Sequence, residues 1–224
     1  MKELLERIAV CVEQGKVDAA SPYPSHLSGQ EGADELTQKA LENGIPPNQI
    51  LTDALIIGME RIGIKFRENQ VFLPEVLMAA KAMTAAMNHL KPFFTSGVVK
   101  PKGLVLMGTV AGDLHDIGKK IVSMFFEGGG WEVIDLGVDV GAEKYLQAIE
   151  KHKPNAVGLS ALLTTTMVSM EEITKQITSA YPQVKVLIGG APVTPEFADK
   201  IGAHCYSPDP QGALDYLNSQ LTLD

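Results

Sequence analysis

Cysteine is almost missing from this chain. Among 224 residues only Cys11 and Cys205 carry a thiol, far apart and in no CxxC spacing, which excludes a disulfide framework or a thiolate zinc site and fits a reducing compartment. A basic surplus is missing too. Lys+Arg number 19 against Asp+Glu 27, a net charge of −8, which argues against a nucleic-acid surface. No apolar run approaches the ~20 residues that span a bilayer. The opening MKELLERIAVCVEQGK lacks the apolar stretch and small-residue cleavage site of a signal peptide, so the expectation is a cytoplasmic protein, with no membrane and no nucleic acid as partner. Nucleotide and hydrolase signatures are absent as well. No GxGxxG opens a helix after a strand, no GxxxxGK(S/T) cradles phosphates, and no GxSxG forms a nucleophile elbow. What remains, 45% hydrophobic and 21% charged residues, is the composition of a globular chain with a real core.

Two periodicities divide it. Up to about Leu90 apolar residues recur at helical spacing. Leu4, Leu5, Ile8, Cys11 and Val12 mark one helix. Leu36, Ala40 and Leu41 mark a second, ended by Asn43-Gly44. After Pro46-Pro47 a third carries Ile50, Ala54, Ile57 and Ile64 beside Leu51, Leu55, Gly58 and Ile62, and a fourth starts at Pro74 with Val76, Ala80, Met83, Met87 and Leu90. The spacing predicts a four-helix bundle over 1–91. The segment from Val17 to Gly32 is long for a helix connection and reads as an ordered surface excursion. A break rich in proline, KPFFTSGVVKPK, places a linker at 92–102.

From 103 to 224 short apolar runs alternate with amphipathic stretches. Strands are expected at Gly103 to Gly108, Trp131 to Leu136, Ala156 to Leu159, Val184 to Ile188 and, weakly, His204 to Ser207. Helices are expected at Asp116 to Glu127, Ala142 to Lys151, Thr166 to Ala180, Pro195 to Ile201 and Gln211 to Leu221. Five strand-helix units in succession imply a parallel five-stranded sheet covered on both faces, α/β and flavodoxin-like (Rossmann-like). Ligands of such sheets lie beyond the carboxyl ends of the strands. After the first strand comes GTVAGDLHDIGKKIV, with His115 flanked by Asp113 and followed by Gly118. An imidazole there can ligate a metal, with a carboxylate fixing its tautomer, although a loop histidine at a helix N-terminus has the same appearance. After the third strand GLSALLTTTM offers Ser160, Thr164, Thr165 and Thr166, which serve equally as helix N-caps. After the fourth comes Gly189-Gly190, which leaves room for a ligand or makes a plain turn. A phosphorylatable aspartate after the third strand, as response regulators need, is replaced by Ser160.

Asp113, His115 and Gly118 as DxHxxG, Ser160-Ala161-Leu162 as SxL, the double glycine, and LPEVLMAAKAM before them together resemble the corrinoid proteins of cobalamin-dependent methyltransferase systems, related to the cobalamin-binding region of methionine synthase. The resemblance implies a helical cap joined to a cobalamin-binding α/β domain, with cobalamin bound base-off and His115 as the lower axial ligand of cobalt. It implies cofactor contacts at Gly112, Asp113, Leu114, Asp116, Ile117, Gly118, Ser160, Leu162, Thr164, Thr166, Gly189 and Gly190. Asp113 and Thr166 would form the relay to His115, Thr166 standing where methionine synthase has serine. The Val17 to Gly32 excursion is longer than in many relatives. Phe72, Leu77 and Met78 are candidates to cover the methyl group, or ordinary core.

The implied function is that of a methyl carrier, non-catalytic alone. Co(I) cobalamin takes a methyl group from a substrate through one methyltransferase, and methyl-Co(III) gives it to a second, for tetrahydrofolate or coenzyme M, with a reductive activase as a further partner in one-carbon metabolism or methylotrophy. A cobalamin-dependent sensor or a mutase small subunit shares the motifs. The first lacks a basic recognition helix here, and the second lacks such a helical N-terminal half.

Overall fold

In the N-terminal half the helical stripes fall where the apolar spacing puts them. Helix α1 (Lys2–Glu13) buries Leu5, Ile8, Ala9 and Val12, and α2 (Ala33–Glu42) buries Leu36 and Ala40. The third rod is not one regular helix. It begins as α3 (Pro47–Ile50), passes through a π segment (Leu51–Leu55) and continues as α4 (Ile56–Arg67). A π turn holds an extra residue and rotates the stripe that follows it. The buried line therefore runs through Leu55, Gly58, Met59 and Ile62, leaving Ile57 half-buried and Ile64 exposed, where unbroken helical spacing puts both on the core side. The computed structural model describes residues 2–95 and 97–221. Ser96, in the expected linker, and residues 222–224 of the expected second domain lie outside them.

Helix α5 (Leu73–Thr95) corrects the expected break at 92. It runs through Pro92, one turn before its end, where losing an N–H and adding a ring disturb only the final turn. Phe72 and Leu77 are exposed and Met78 is half-buried, so the first two are not core residues of their own unit. The stretch from 17 to 32 is an ordered loop whose ends meet. Ala33 N–H donates to the Lys16 carbonyl (3.0 Å) and Asp34 N–H to that of Val17 (3.0 Å). The buried Lys16 ammonium donates to the Ser21 carbonyl (2.8 Å).

The second half is a five-stranded parallel sheet in the order β2-β1-β3-β4-β5: β1 (Leu104–Thr109), β2 (Glu132–Asp135), β3 (Ala156–Ser160), β4 (Lys185–Gly189) and β5 (Cys205–Tyr206). Helices α6 (Ile117–Gly128), α7 (Ala142–His152), α8 (Met167–Ala180) and α9 (Pro195–Ile201) connect them, and α10 (Pro210–Gln220) follows. Right-handed crossovers dictate which face each helix covers. The step from β1 to β2 runs one way, and the steps through β3, β4 and β5 run the other. Leu106, Val157, Leu159, Val186 and Ile188 accordingly pack with Tyr145, Met170, Ile173 and Ile201 of α7, α8 and α9. On the opposite face Val105, Met107, Ala156 and Leu187 pack with Phe126 of α6, Trp131, and Leu214 and Leu217 of α10. The alternation along β1 and β4 is the two-residue period of a strand.

The fold divides into two units, Met1–Pro101 with Gly128–Gly130, and Lys102–Glu127 with Trp131–Asp224. Among the described residues no helix is long and apolar enough to cross a membrane.

Candidate functional site

The direction of chain progression reverses between β1 and β3, and their carboxyl ends lie side by side, with Thr109 opposite Ser160 and Ser160 opposite Gly189. This is the switch point at which parallel sheets open a crevice. The chain leaves β1 through a tight turn, with Asp113 N–H on the Val110 carbonyl (3.1 Å) and Gly112 at φ +83°, a left-handed conformation natural to glycine. That turn drives the Asp113 side chain inward, where it is fully buried, and leaves the His115 imidazole 53% exposed.

The buried carboxylate collects donors from two strand ends. Oδ1 accepts from the His115 backbone N–H (3.0 Å) and from His115 Nδ1 (2.7 Å). Oδ2 accepts from the N–H groups of Leu162 (2.7 Å) and Leu163 (3.3 Å) and from the Thr166 hydroxyl (2.9 Å). Burial pulls the Asp113 pKa upward, but the bonds from His115, Leu162 and Thr166 outweigh it and hold the carboxyl well below the ordinary carboxylate range. An ionised carboxylate only accepts, so the proton on the imidazole sits at Nδ1 and Nε2 keeps a free lone pair. The Thr166 hydroxyl also lies 2.9 Å from the Leu163 carbonyl. It therefore serves this network and does not cap α8, which has no side-chain cap at that residue.

The segments that follow β1 and β3 carry several large apolar side chains at the surface. Leu114, Ile117 and Val168 are 72%, 70% and 71% exposed, and Leu162 and Leu163 are exposed beside them. Exposed apolar side chains gathered at one crevice mark a surface built to be covered. Gly118 and Gly189 open onto free space where a Cβ would stand. Gly190 differs from the expectation for the double glycine: it sits at φ +130°, and a Cβ there would collide with the Ala161 carbonyl oxygen, so the chain itself fills that space. Ser160 is half-buried and Thr164 exposed, the latter in a 3-10 turn (Thr164–Thr166), and no bond joins either side chain to His115 among the described residues. Asp116 pairs with Lys120 of the first turn of α6.

Three participants escaped the sequence reading. Thr109, fully buried, donates its hydroxyl to the His115 carbonyl (2.9 Å). Asp139 accepts the Gly112 N–H (2.7 Å). Lys119, buried, bonds the Asp135 carboxylate and the Gly137 carbonyl (3.1 Å). Only Lys119 had a sequence signal, as a lysine three and seven residues before Val122 and Phe126 on the apolar side of α6. Among the described residues no group of three or more His, Cys, Asp or Glu is placed to hold a metal ion.

The family described as "B12 binding domain" matches residues 103–214, and a second family of the same description matches residues 30–91. The chain is 39% identical over 197 residues to the trimethylamine corrinoid protein of Methanosarcina barkeri, covering 86% of this chain and 91% of that protein. It is 36% identical over 216 residues to dimethylamine corrinoid protein 1 of Methanosarcina acetivorans, covering 95% of each. Among solved structures it is similar to a chain of the methanol:cobalamin methyltransferase complex MtaBC from Methanosarcina barkeri. There the TM-score is 0.80 at 31% identity, over 98% of this chain and 80% of that one.

Proposed function

The chain belongs to the corrinoid proteins built on B12 binding domains, and from that premise we propose that it carries methyl groups on a cobalamin whose cobalt takes Nε2 of His115 as its protein ligand. The observation that carries this reading is the half-exposed imidazole tied through Nδ1 to a buried, ionised Asp113, on strand-end loops that also carry exposed leucine and isoleucine side chains. One imidazole cannot retain a bare cation, but it can complete the coordination of a metal already held in a macrocycle. Leucine, isoleucine and valine around it suit a broad apolar ring system, and the open backbone at Gly118 and Gly189 leaves room for a bulky appendage. The residues present therefore fit the cofactor.

Bound here, cobalamin supplies a cobalt that takes up and gives away a methyl group. The chain's own residues supply the rest. Asp113 keeps the proton on Nδ1 and leaves the Nε2 lone pair for a ligand bond. Thr166 and the Leu162 N–H hold Asp113 ionised and in place. Leu114, Ile117, Leu162 and Val168 exclude water from the imidazole once covered.

A methyl carrier works between enzymes, and the likeness to a methyltransferase complex chain supports a substrate-specific methyltransferase as one partner. The relatives named for trimethylamine and dimethylamine support a methylated nitrogen compound as donor. The same reading includes a second methyltransferase delivering to tetrahydrofolate or coenzyme M, a reductive activase, and a place in the cytoplasm. The direct test is the visible spectrum of the full-length protein loaded with hydroxocobalamin. Wild type should give a histidine-coordinated spectrum that His115→Ala abolishes, and identical spectra would overturn the assignment.

A further inference from the structure

The loop that presents His115 has only seven residues between β1 and α6, 110–116, and none of them belongs to a helix or a strand. Something outside the loop must keep it in one conformation. The connection from β2 to α7 does so through backbone and side chain together. Thr109 N–H donates to the Gly137 carbonyl (3.0 Å), Val140 N–H to that of Thr109 (2.9 Å), and Val110 bridges Val140 in parallel. Beyond this zipper Asp139 closes a two-point clasp. Its carboxylate Oδ1 accepts the Gly112 N–H (2.7 Å), and its own N–H donates to the Asp113 carbonyl (3.0 Å).

Asp139 makes both bonds from a left-handed backbone, φ +53°. Side chains avoid this region, and Asp and Asn are among the few that tolerate it. The clasp grips the two residues that set the site: Gly112, whose positive φ makes the turn, and Asp113, whose carboxylate orients the imidazole. Its base is itself held, since buried Lys119 bonds the Gly137 carbonyl and the Asp135 carboxylate, and Asp135 accepts the Gly137 N–H (2.8 Å).

We infer that Asp139 is a positioning residue for the cobalt ligand, fixing the Gly112–Asp113 turn so that His115 is presented in one orientation before the cofactor arrives. The inference rests on the reading of His115 given above. It predicts that removing the carboxylate weakens coordination without touching the imidazole or its aspartate.

Two variants of the full-length chain separate this role from general stability. Asp139→Gly tolerates the backbone conformation and removes the carboxylate point of the clasp, leaving the backbone N–H bond to Asp113. Asp139→Asn tolerates the conformation too and keeps an oxygen acceptor. In the apo protein, exchange of the Gly112 amide should speed up about tenfold in Asp139→Gly, as expected for a lost hydrogen bond, and by clearly less in Asp139→Asn, which keeps the acceptor without its charge. Titrated with hydroxocobalamin, Asp139→Gly should bind about tenfold more weakly and show a reduced histidine-coordinated spectrum, while Asp139→Asn recovers most of both. An Asp139→Gly protein matching wild type in amide exchange and spectrum would overturn the inference. So would an asparagine variant as impaired as the glycine one. A wild-type spectrum identical to that of His115→Ala would instead overturn the assignment of His115, and this inference with it, whatever the amide exchange shows.

Discussion

Substituting Asn for Asp113 keeps the size of the side chain and removes its charge. In the native protein Oδ2 receives Leu162 N–H at 2.7 Å and the Thr166 hydroxyl at 2.9 Å, and Oδ1 receives His115 N–H at 3.0 Å and Nδ1 at 2.7 Å. An asparagine can point its oxygen at only one of these pairs. With the oxygen toward Leu162 and Thr166, the amide nitrogen meets the His115 backbone N–H, donor against donor, in a fully buried position. An unpaired buried N–H costs about 1–3 kcal/mol, and losing the charge on the surviving bonds adds roughly 1 kcal/mol, so apo stability should fall by about 2–4 kcal/mol. Against a total of about 5–15 kcal/mol the variant still folds, and its urea midpoint drops by about 1 M.

The imidazole responds too. Facing an N–H donor, Nδ1 becomes an acceptor and the proton moves to Nε2, which removes the lone pair a metal needs. The hydroxocobalamin-loaded variant should therefore resemble His115→Ala. Since the native Asp113 pKa lies below its unfolded value, its contribution to stability is complete above about pH 4 and is lost as pH falls toward the native pKa. The stability gap between wild type and Asp113→Asn should narrow below about pH 4. Equal urea midpoints at pH 7, or a histidine-coordinated spectrum in the variant, would refute the reasoning.

The two glycines of the pair should behave oppositely: Gly190→Ala, at φ +130° against the Ala161 carbonyl, should lose about 2–4 kcal/mol in urea denaturation. Gly189→Ala, with open space at its Cβ, should stay within about 0.5 kcal/mol in the apo protein and weaken hydroxocobalamin binding in a fluorescence titration. Thr166→Val should lose about 1 kcal/mol and a share of the histidine-coordinated spectrum, both recovered by Thr166→Ser, whose hydroxyl can still reach Asp113. His204 Nδ1 accepts the Val186 N–H at 3.1 Å, and burial, with the charge of Lys185, lowers its pKa. Protonation then favours the unfolded chain, so this contribution is complete above about pH 6.5 and is lost as pH falls below it. Apo wild type should lose urea stability from pH 7 to pH 5 by more than His204→Asn does.

Much of the fold was legible because burial writes itself into residue order. Strands β1 and β4 sit between two packed faces and so read as uninterrupted apolar runs. The two-residue β5 is an edge strand with half-buried residues, and its weak signal has that cause. Local spacing could not show the π segment at Leu51–Leu55, since the same residues fit a regular helix as well. Pro92 misled for the opposite reason: proline is a strong local stop signal, yet near a helix end its penalty is small enough for the chain to continue to Thr95.

The candidate site divides in the same way. Asp113, His115 and Gly118 stand close together in the chain, so their chemistry could be read from their order. Thr109, Asp139 and the distinction between Gly189 and Gly190 could not, because each depends on a partner brought near by folding: the His115 carbonyl, the Gly112 amide and the Ala161 carbonyl. Sequence alone determined the alternation of strand and helix and singled out the Asp113, His115 and Gly118 spacing, since both are written in short-range residue order. Tertiary structure alone decided that the Thr109 hydroxyl, the Asp139 carboxylate and the Leu162 backbone amide hold the Asp113–His115 turn, because these bonds depend on partners brought near by folding, as many as 49 positions away, and no local pattern encodes such a distance.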